Sequence, residues 1–443
     1  MLDAINRLIR DKRVLILGFG KEGASTYRVL SRVGGYARLD IADRGDTDID
    51  APLADAVFTG SGYTDALDGY DIVFKSPGVV VAPEDVPRKC LVTSQTDIFL
   101  GVYGSQTVGV TGTKGKSTVS TMIYHVLREN GKDCLLAGNI GTPVFDVFES
   151  VSRETILVLE LSCHQLEYCR RSPHTALFLN LYEDHLDHYG TFARYARAKA
   201  NIYAHQSLSD TLICPPEFNP GGSRAHKIFA DTPAAAFIGN GLLESAGLRG
   251  EHSRLNCAFA YLACSLYGVD ETGFARALGS YRALAHRLEF LGAMGGADYY
   301  DDSISTTAES AVSAVKSVPN AQVLLVGGMD RGIAYDGLAK FLAGSGLSYV
   351  ILMYESGKRV YEIMRGLSPC LPRLILADDL YRAAELAKKL VAPGGACILS
   401  PAAASYGHFK NFEERGDVFR KLIFSETDSG AVYKNIGDET CDM

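Results

Sequence analysis

The clearest structural signal in this chain is the stretch Thr107-Val-Gly-Val-Thr-Gly-Thr-Lys-Gly-Lys-Ser-Thr118. Its first five residues are mostly β-branched and predict a buried strand, and helical spacing of apolar residues follows Thr118. A strand, a glycine-rich turn and a helix place backbone N–H groups and a helix N-terminus around an anion. Lys116 would reach the outer phosphates of a nucleotide, and Ser117 or Thr118 would offer a hydroxyl to Mg²⁺. We therefore predict a nucleotide phosphate site.

The turn departs from the strict phosphate-loop pattern in its spacing. That pattern has four residues between its glycines, whereas Gly112 and Gly115 enclose two. An ordinary glycine-rich turn between a strand and a helix is the alternative interpretation. The two glycines, Lys116 and the Ser117-Thr118 pair all lie where the strand gives way to the helix, and this combination favours the phosphate site.

Length and composition are typical of a multidomain globular protein. The 443 residues exceed one ordinary core, and 47% of them are hydrophobic and 22% charged. A net charge of −8 argues against non-specific nucleic-acid binding, so we expect no nucleic-acid partner. No apolar run approaches the roughly eighteen residues of a membrane span. Ten cysteines without a Cys-x-x-Cys pair, and an N-terminus without an apolar signal-peptide core, predict a cytoplasmic protein with reduced thiols.

A second glycine turn near the N-terminus indicates a small α/β unit before the phosphate stretch. The strand that begins at Arg13 runs into Gly18-Phe-Gly20-x-x-Gly23, and the next strand ends at Asp43. This order matches the dinucleotide-binding fingerprint, which alone would also fit an NAD-dependent dehydrogenase. After a further strand, Ser76 and Gly78 lie in a turn that would offer more N–H groups to a phosphate, although ordinary turn chemistry explains them equally well.

Acidic side chains follow two strands that we predict beside the phosphate stretch. The apolar strand 155–160 ends in Glu160, and the strand 175–179 runs into Asn180-Leu-Tyr-Glu-Asp-His-Leu-Asp-His188. Carboxylates at the carboxyl ends of such strands are where a Mg²⁺ ligand is expected. A solvated acidic surface is the alternative for the second stretch. Mg²⁺ is favoured over Zn²⁺, because oxygen ligands dominate and no thiol is placed to help.

Lys199 lies on the apolar face of a helix predicted over 192–202, together with Tyr195 and Ile202 or Tyr203. One interpretation is a surface lysine whose aliphatic stem lies along that face. The other is a buried lysine of lowered pKa that is chemically modified. Composition alone favours the surface lysine.

The C-terminal part of the chain predicts another doubly wound sheet. After a helical segment ends near residue 281, strands alternate with helices at 322–326, 349–352, 374–377 and 396–399. Polar loops that follow strands are expected to bind ligands, and they lie at 301–307, 327–332 and 400–405. The residues beyond Ser425 are expected to form a frayed terminus.

Six motifs in order along the chain resemble those of the Mur ligases, the ATP-dependent amino-acid ligases of peptidoglycan synthesis. They are Gly112–Thr118, Glu160-Leu-Ser-x-x-Gln165, Asn180-x-x-x-Asp-His-Leu-Asp187, Ala198-Lys-Ala200, His286-Arg-Leu-Glu289 and Asp302-Ser303. Within the family, the branch that adds glutamate to UDP-N-acetylmuramoyl-L-alanine is the most similar. That likeness rests on Gly18-x-Gly20, Asn139–Pro143, Gly327–Arg331 and residues 400–413.

The resemblance implies an α/β protein of three domains. These are a Rossmann-like UDP-sugar-binding domain over 1–103, a central P-loop-type ATP-binding domain over 104–285 and a Rossmann-like glutamate-binding domain over 286–443. It also implies that ATP activates the carboxylate of UDP-N-acetylmuramoyl-L-alanine as an acyl phosphate, which the amine of glutamate then attacks. The partners would be these small molecules, and we expect a monomer.

The resemblance also implies roles for individual residues. Catalysis and two Mg²⁺ ions would involve Lys116, Ser117, Thr118, Glu160, His185 and a carbamylated Lys199. The implied ATP contacts are Gly112, Thr113, Lys114, Gly115, Lys116, Ser117, Thr118, Asn256, Arg287 and Asp302. The implied contacts to the UDP substrate are Gly18, Phe19, Gly20, Asp43, Arg44, Ser76, Gly78, Asn139 and Gln165. Those to glutamate are Thr306, Arg331, Ser405 and Phe412.

Two positions depart from the pattern of the glutamate-adding branch. Residue 304 is isoleucine where a lysine would pair with a glutamate carboxylate, and residue 407 is glycine where aspartate is frequent. Losing one charged contact shifts binding by about 1.5–3 kcal/mol, which is enough to change the preferred enantiomer. D-glutamate is the expected substrate, and the L-glutamate-adding ligase of the same family is the alternative.

Three other functions compete with this interpretation. A folylpolyglutamate-type ligase would share the phosphate turn and the central acids but would lack the leading Rossmann-like unit. An NAD-dependent dehydrogenase leaves the second nucleotide site unexplained. In a non-catalytic nucleotide-sugar-binding protein we would expect a damaged phosphate turn or missing metal ligands. Here Lys116, Glu160, His185 and Lys199 are all present. We therefore expect an enzyme.

Overall fold

The structure, a computed structural model, describes residues 1–425 except 46–48, 61, 82, 219, 249–250, 283–284, 319, 331, 333 and 368–371. The side chains of residues 65, 66, 83, 186, 187, 251, 252 and 309 are likewise outside the description. Arg331 and the expected frayed terminus therefore lie outside the described residues. The chain divides into two compact units, Met1–Arg282 and Ala283–Met443.

The first unit begins with a five-stranded sheet. Its strands are β1 (Arg13–Leu17), β2 (Arg38–Asp43), β3 (Ala56–Thr59), β4 (Ile72–Lys75) and β5 (Leu91–Thr93). The helices that accompany it are α1 (Leu2–Ile9), α2 (Lys21–Val33) and α3 (Gln95–Tyr103). All strands are parallel and follow the order β3-β2-β1-β4-β5. The strand into the first glycine turn and the strand that ends at Asp43 are confirmed.

A second parallel sheet of six strands completes the first unit. Its strands are β6 (Thr107–Thr111), β7 (Cys134–Gly138), β8 (Ile156–Glu160), β9 (Thr175–Phe178), β10 (Thr211–Cys214) and β11 (His226–Phe229). Its helices are α4 (Lys116–Glu129), α5 (Cys163–Leu166), α6 (Leu186–Tyr189), α7 (Phe192–Ala204), α8 (Asn240–Ser245), α9 (Glu251–Ser265) and α10 (Glu271–Ser280). The strand order is β11-β10-β9-β6-β8-β7.

Strand β6 is the central strand of the second sheet. All five of its residues are buried, as a strand covered on both faces of a parallel sheet requires. Its neighbours β8 and β9 lie on opposite sides, so the chain order reverses at β6. Open parallel sheets bind ligands at such a reversal, beyond the carboxyl ends of the strands. The turn that follows β6 lies there, and α4 begins within it, as the sequence predicts.

The third sheet lies in the second unit. Its strands are β12 (Glu289–Met294), β13 (Ala297–Asp301), β14 (Ala321–Val326), β15 (Tyr349–Met353), β16 (Arg373–Ala377) and β17 (Ala396–Leu399). Its helices are α11 (Ala308–Ser317), α12 (Asp336–Ala343), α13 (Tyr354–Arg365), α14 (Leu380–Leu390) and α15 (Phe412–Phe424). The order is β12-β13-β17-β14-β15-β16, and only β12 is antiparallel to its neighbour.

The antiparallel hairpin of β12 and β13 is absent from the sequence-based prediction. Its turn contains Gly295 and Gly296, both with positive φ. A Gly-Gly pair between two strand-like runs is a recognised hairpin signal that would have found it. β12 contains no fully buried residue, and its apolar residues do not alternate with polar ones, so its sequence gives no clear strand signal.

The two units have separate hydrophobic cores. One cluster in the first unit contains residues of both sheets, among them Ile16, Phe74, Leu157 and Leu212. The clusters of the second unit lie on the two faces of its own sheet. The three predicted α/β sheets are therefore present, whereas the domain boundaries after residues 103 and 285 stay predictions. Among the described residues, no helix combines the length and hydropathy that crossing a bilayer requires.

Candidate active site

Side chains from neighbouring elements hold the phosphate turn that follows β6. Asn180, just beyond β9, accepts a hydrogen bond from the backbone N–H of Lys114 at 2.9 Å and donates from Nδ2 to the carbonyl of the same residue at 3.0 Å. The hydroxyl of Thr113 accepts from the backbone N–H of Tyr182 at 3.0 Å and hydrogen-bonds the Tyr195 hydroxyl at 2.9 Å. The turn is thus tied to β9 and to α7.

Two glycines of this turn allow other residues to approach closely. Gly115 has a φ of +85°, and a Cβ built on it would lie 2.8 Å from Oδ1 of Asn256. A Cβ on Gly112 would lie 2.9 Å from the Cβ of Leu179. The structure therefore brings Asn256, on α9, to the turn, and its contact with ATP stays a prediction.

Lys116 is the first residue of α4, so its backbone belongs to the helix N-terminus at the turn. Its Nζ donates to the carbonyl oxygens of Gly112 at 3.0 Å and Thr113 at 3.1 Å. Ser117 is buried and Thr118 is half-buried in the first turn of the helix. The ammonium group therefore lies over the turn that is predicted to hold phosphates.

Lys199 is 1% exposed, so the expectation of a surface lysine is wrong. Its helix α7 packs the face that carries Tyr195, Lys199 and Ile202 into the protein, which leaves the aliphatic stem no route to solvent. Its Nζ donates to the carbonyl oxygen of Gly112 at 2.8 Å. Burial, reinforced by the charge of Lys116, lowers the pKa of Lys199 to about 7. A partly neutral amine therefore lies beside the phosphate turn.

Glu160 ends β8 with a carboxylate that is buried beside the turn region. Its Oε1 accepts a hydrogen bond from Nδ2 of Asn139 at 2.6 Å. Its Oε2 is buried and has no hydrogen-bond partner among the described residues. A buried carboxylate oxygen without a donor is costly unless a cation or a water satisfies it. Oε2 of Glu160 therefore fits a ligand to a divalent cation.

The residues of the acidic stretch after β9 differ in their exposure to solvent. Glu183 is exposed, Asp184 and His185 are half-buried, and the side chain of Asp187 is outside the description. His185 has a φ of +52°. Such backbone conformations cost a non-glycine residue roughly 1–3 kcal/mol and cluster at functional sites. Its ring packs edge-on against His164, at a centroid distance of 4.7 Å, a neighbour that the sequence did not indicate.

Several of the residues predicted to bind the UDP part of a substrate lie at the first glycine turn. Oδ2 of Asp43 accepts from the backbone N–H of Phe19 at 2.6 Å, and the hydroxyl of Ser76 donates to the carbonyl of Gly18 at 2.6 Å. These bonds join the carboxyl ends of β1, β2 and β4. Three further predicted residues are exposed at the same strand ends: Gly20, Arg44 and Gly78.

Two predicted UDP-substrate residues are amides that hold carboxylates. Asn139 bonds Glu160, as described above, and Nε2 of Gln165 donates to Oε1 of Glu22 at 2.5 Å. Gln165 is also the third residue of α5, where it forms a capping box with the N-cap residue Ser162. Both amides therefore have a structural task here, and their contact with a substrate stays a prediction.

In the second unit, Asp302 is a buried carboxylate just beyond β13. Its Oδ1 accepts from the backbone N–H of Leu288 at 3.0 Å, and its Oδ2 accepts from the hydroxyl of Ser400 at 2.7 Å. Burial is the main cause that raises the pKa of Asp302 to about 6. Arg287 lies between two residues of positive φ, His286 at +62° and Leu288 at +45°. The bond between Leu288 and Asp302 therefore connects the segment that contains Arg287 to Asp302, the other predicted ATP contact of this unit.

His286 and Asp301 form a buried pair beside these residues. The Nδ1–H of His286 donates to Oδ2 of Asp301 at 2.7 Å, which raises the pKa of His286. With Glu289 they are the one group of three metal-type ligands that converge in the described part of the chain. Glu289 already accepts from the backbone N–H of His286 and from the side chain of Arg420. The group is therefore satisfied by hydrogen bonds, and none of its three residues is among the predicted Mg²⁺ ligands.

The predicted glutamate contacts lie in three parts of the second unit. Thr306 is half-buried in the loop after β13, Ser405 is buried after β17, and Phe412 begins α15. Arg331 is outside the described residues. The fully buried Arg415 lies among these parts, and neither this arginine nor Ser303 was singled out as a site residue from the sequence.

Comparison with known proteins assigns the family. Residues 110–233, from β6 to beyond β11, match the model of the Mur ligase middle domain. A UDP-N-acetylmuramoylalanine–D-glutamate ligase of Symbiobacterium thermophilum is 30% identical over 93% of this chain and 98% of that protein. The chain belongs to the Mur ligase family.

Further relatives agree with this assignment. A protein of the same name from Pelotomaculum thermopropionicum is 31% identical to this Mur ligase, over 94% of the chain and 98% of the relative. A solved MurF ligase from Thermotoga maritima, in complex with ADP, has a TM-score of 0.55 at 18% identity and covers 96% of this chain and 97% of its own. This likeness shows a shared fold, in agreement with the α/β, three-domain class that the sequence predicts.

Proposed function

We propose that this Mur ligase joins D-glutamate to UDP-N-acetylmuramoyl-L-alanine with consumption of ATP, as a step of peptidoglycan synthesis. The observation that carries the proposal is the convergence of groups on the phosphate turn. The side-chain nitrogens of Lys116 and Lys199 both donate to the carbonyl of Gly112. The names of relatives that match nearly their whole length support the same reaction.

The reaction would proceed in two steps at the phosphate turn. An oxygen of the substrate carboxylate attacks the γ-phosphorus of ATP, ADP leaves, and an acyl phosphate forms. The amine of glutamate then attacks the acyl carbon and loses a proton, and phosphate leaves with the electron pair of the broken C–O bond. Lys116 and the N-terminus of α4 would stabilise the charge on the transferring phosphoryl group, and the rest of the site would position the reactants.

We propose that two Mg²⁺ positions lie beside the turn. Ser117 or Thr118 with Oε2 of Glu160 would hold one ion, and His185 with a carbamate of Lys199 would hold the other. When bound, the ions would neutralise phosphate charge. The carbamate would form when the neutral amine of Lys199 attacks the carbon of CO₂ and loses a proton. A pKa of about 7 makes that neutral amine available at neutral pH.

The names of the relatives favour D-glutamate over L-glutamate. The L-glutamate-adding reaction stays the second candidate because Ile304, half-buried in the loop after β13, cannot pair with a carboxylate. The described cysteines are free thiols, which is consistent with the proposed cytoplasmic location. A monomeric state stays a prediction.

Trapping the acyl phosphate tests the proposed reaction directly. The full-length protein is incubated with ATP, Mg²⁺ and UDP-N-acetylmuramoyl-L-alanine, and hydroxylamine replaces glutamate. We expect a hydroxamate of the UDP substrate, formed in proportion to ADP. ADP release without any hydroxamate, or no ADP release at all, would contradict an acyl-phosphate mechanism.

A further inference from the structure

A buried serine and a buried arginine join the parts of the second unit that contain the predicted glutamate contacts. Ser303 follows β13, Arg415 lies on α15, and both are 0% exposed. Nε of Arg415 donates to the hydroxyl of Ser303 at 3.0 Å, and Nη2 donates to the carbonyls of Ser303 at 2.7 Å and Ala403 at 3.1 Å. The Ser303 hydroxyl in turn donates to the carbonyl of Phe412 at 2.8 Å.

The hydroxyl of Ser303 therefore joins its own loop to α15, and the guanidinium of Arg415 joins both to the segment that contains Ala403. Thr306 is three residues further along its own loop, Ser405 is two residues beyond Ala403, and Phe412 is itself an acceptor. Each of these three is a predicted glutamate contact. One hydroxyl thus sets the spacing between the loop after β13 and the first turn of α15.

Arg415 extends the same network towards a fourth segment. Its Nη1 is buried and has no hydrogen-bond partner in the described part of the chain. A Cβ built on Gly328 would lie 3.0 Å from this Nη1, so the guanidinium packs directly under the loop after β14. That loop leads to Arg331, the remaining predicted glutamate contact. A bulky side chain at 328 would push the guanidinium and the loop apart.

We propose that Ser303 is a positioning residue for the incoming glutamate and that Arg415 anchors it. The hydroxyl would act through Phe412 and through Arg415, whose Nη2 bonds the carbonyl of Ala403, and it would not touch the substrate. This inference rests on the proposed function, because it specifies how that function's second substrate is held. It predicts that the loss of the hydroxyl weakens glutamate binding and leaves nucleotide binding nearly unchanged.

A second buried serine provides a matched control. Ser400 is also 0% exposed and follows β17, the strand that pairs with β13. Its hydroxyl donates to Asp302, a predicted ATP contact. Ser303 and Ser400 are therefore both buried serines that follow the carboxyl ends of paired strands. They differ in that Ser303 bonds a predicted glutamate contact and Ser400 bonds a predicted ATP contact.

The experiment measures the KM for glutamate, the KM for ATP and kcat of the full chain as wild type, Ser303→Ala, Ser303→Cys and Ser400→Ala. For Ser303→Ala we expect the glutamate KM to rise about tenfold, because two hydrogen bonds are lost and Nε of Arg415 keeps no acceptor. The ATP KM and the glutamate-independent hydroxamate reaction should change by less than about threefold. Ser303→Cys keeps a weak donor of similar size and should give an intermediate glutamate KM. Ser400→Ala should show the reverse pattern.

A glutamate KM within about twofold of wild type in Ser303→Ala would overturn the proposal, as would the same pattern in both alanine variants. A smaller active fraction with unchanged KM values would show that Ser303 acts only on folding, which also overturns it. Should Ser303→Ala fail to fold, Ser303→Cys decides by the same criteria. Hydroxamate formation in the wild type keeps these outcomes separate from a failure of the proposed function, in which no hydroxamate forms.

Discussion

Replacing Asp302 with asparagine should change the free energy of unfolding, relative to wild type, in favour of the variant as the pH rises. The carboxylate is buried, and burial raises its pKa from the ordinary value of 3.8 to about 6. The folded protein therefore holds this proton more tightly than the unfolded chain does. As the pH rises between the two values, the unfolded chain loses this proton while the folded protein keeps it, so stability falls over this interval and levels off above the folded pKa.

The size of the effect follows from the two pKa values. The difference between 3.8 and about 6 corresponds to about 3 kcal/mol once the group is ionised in both states. At pH 5 the unfolded chain is mostly ionised and the folded protein is not, so only part of this cost is present. Asparagine keeps a carbonyl that can accept from the backbone N–H of Leu288 and carries no charge. The variant should therefore gain on the order of 1 kcal/mol more over the wild type at pH 8 than at pH 5.

Urea unfolding of wild type and Asp302→Asn at both pH values measures this difference. Asp378→Asn, which alters an exposed carboxylate in the same unit, serves as the control and should show no such change with pH. The reasoning is refuted if the stability difference between Asp302→Asn and wild type is the same at pH 5 and pH 8, or larger at pH 5. The variant should also bind ATP more weakly if Asp302 contacts the nucleotide.

Three further substitutions test other parts of the structure. Lys116→Ala should lower kcat by at least about 10³ with an unchanged circular dichroism spectrum, because the ammonium acts on the transferring phosphoryl group; retained turnover would contradict this. Lys199→Ala should be inactive and regain partial activity in millimolar acetate or formate, and the absence of rescue would count against a carbamate. Gly416→Ala should destabilise the second unit by more than about 3 kcal/mol in urea unfolding, since its Cβ would lie 2.1 Å from Nδ1 of His286. Gly337→Ala, where a Cβ meets nothing within 4 Å, should be tolerated, and equal stability of the two variants would refute the packing argument.

Local sequence signals predicted most of the parallel architecture. The β-branched run of β6, the glycine turn behind it and the switch to helical spacing agree with one another, and the structure shows a strand, a turn and a helix in that order. Three strands of the first sheet, β1, β2 and β4, are marked in the same way by apolar runs that end in turn residues. Such features are visible because neighbouring residues in the chain produce them.

Other features depend on contacts between distant residues and were not predictable from local patterns. Whether Lys199 points to solvent or inward depends on how α7 packs on its sheet, and the helix sequence fits both arrangements. Ser303 and Arg415 are 112 residues apart in the chain, so their hydrogen bond leaves no local trace. The bond between Asn139 and Glu160 is likewise a product of strand pairing, between β7 and β8.

The central claim is tested most directly by phosphate release with ATP, Mg²⁺ and UDP-N-acetylmuramoyl-L-alanine, measured separately with D-glutamate and with L-glutamate. The account predicts release with D-glutamate, accompanied by a product heavier than the UDP substrate by one glutamyl residue. Release with L-glutamate alone would assign the chain to the L-adding branch. Release with neither enantiomer would contradict the proposed function.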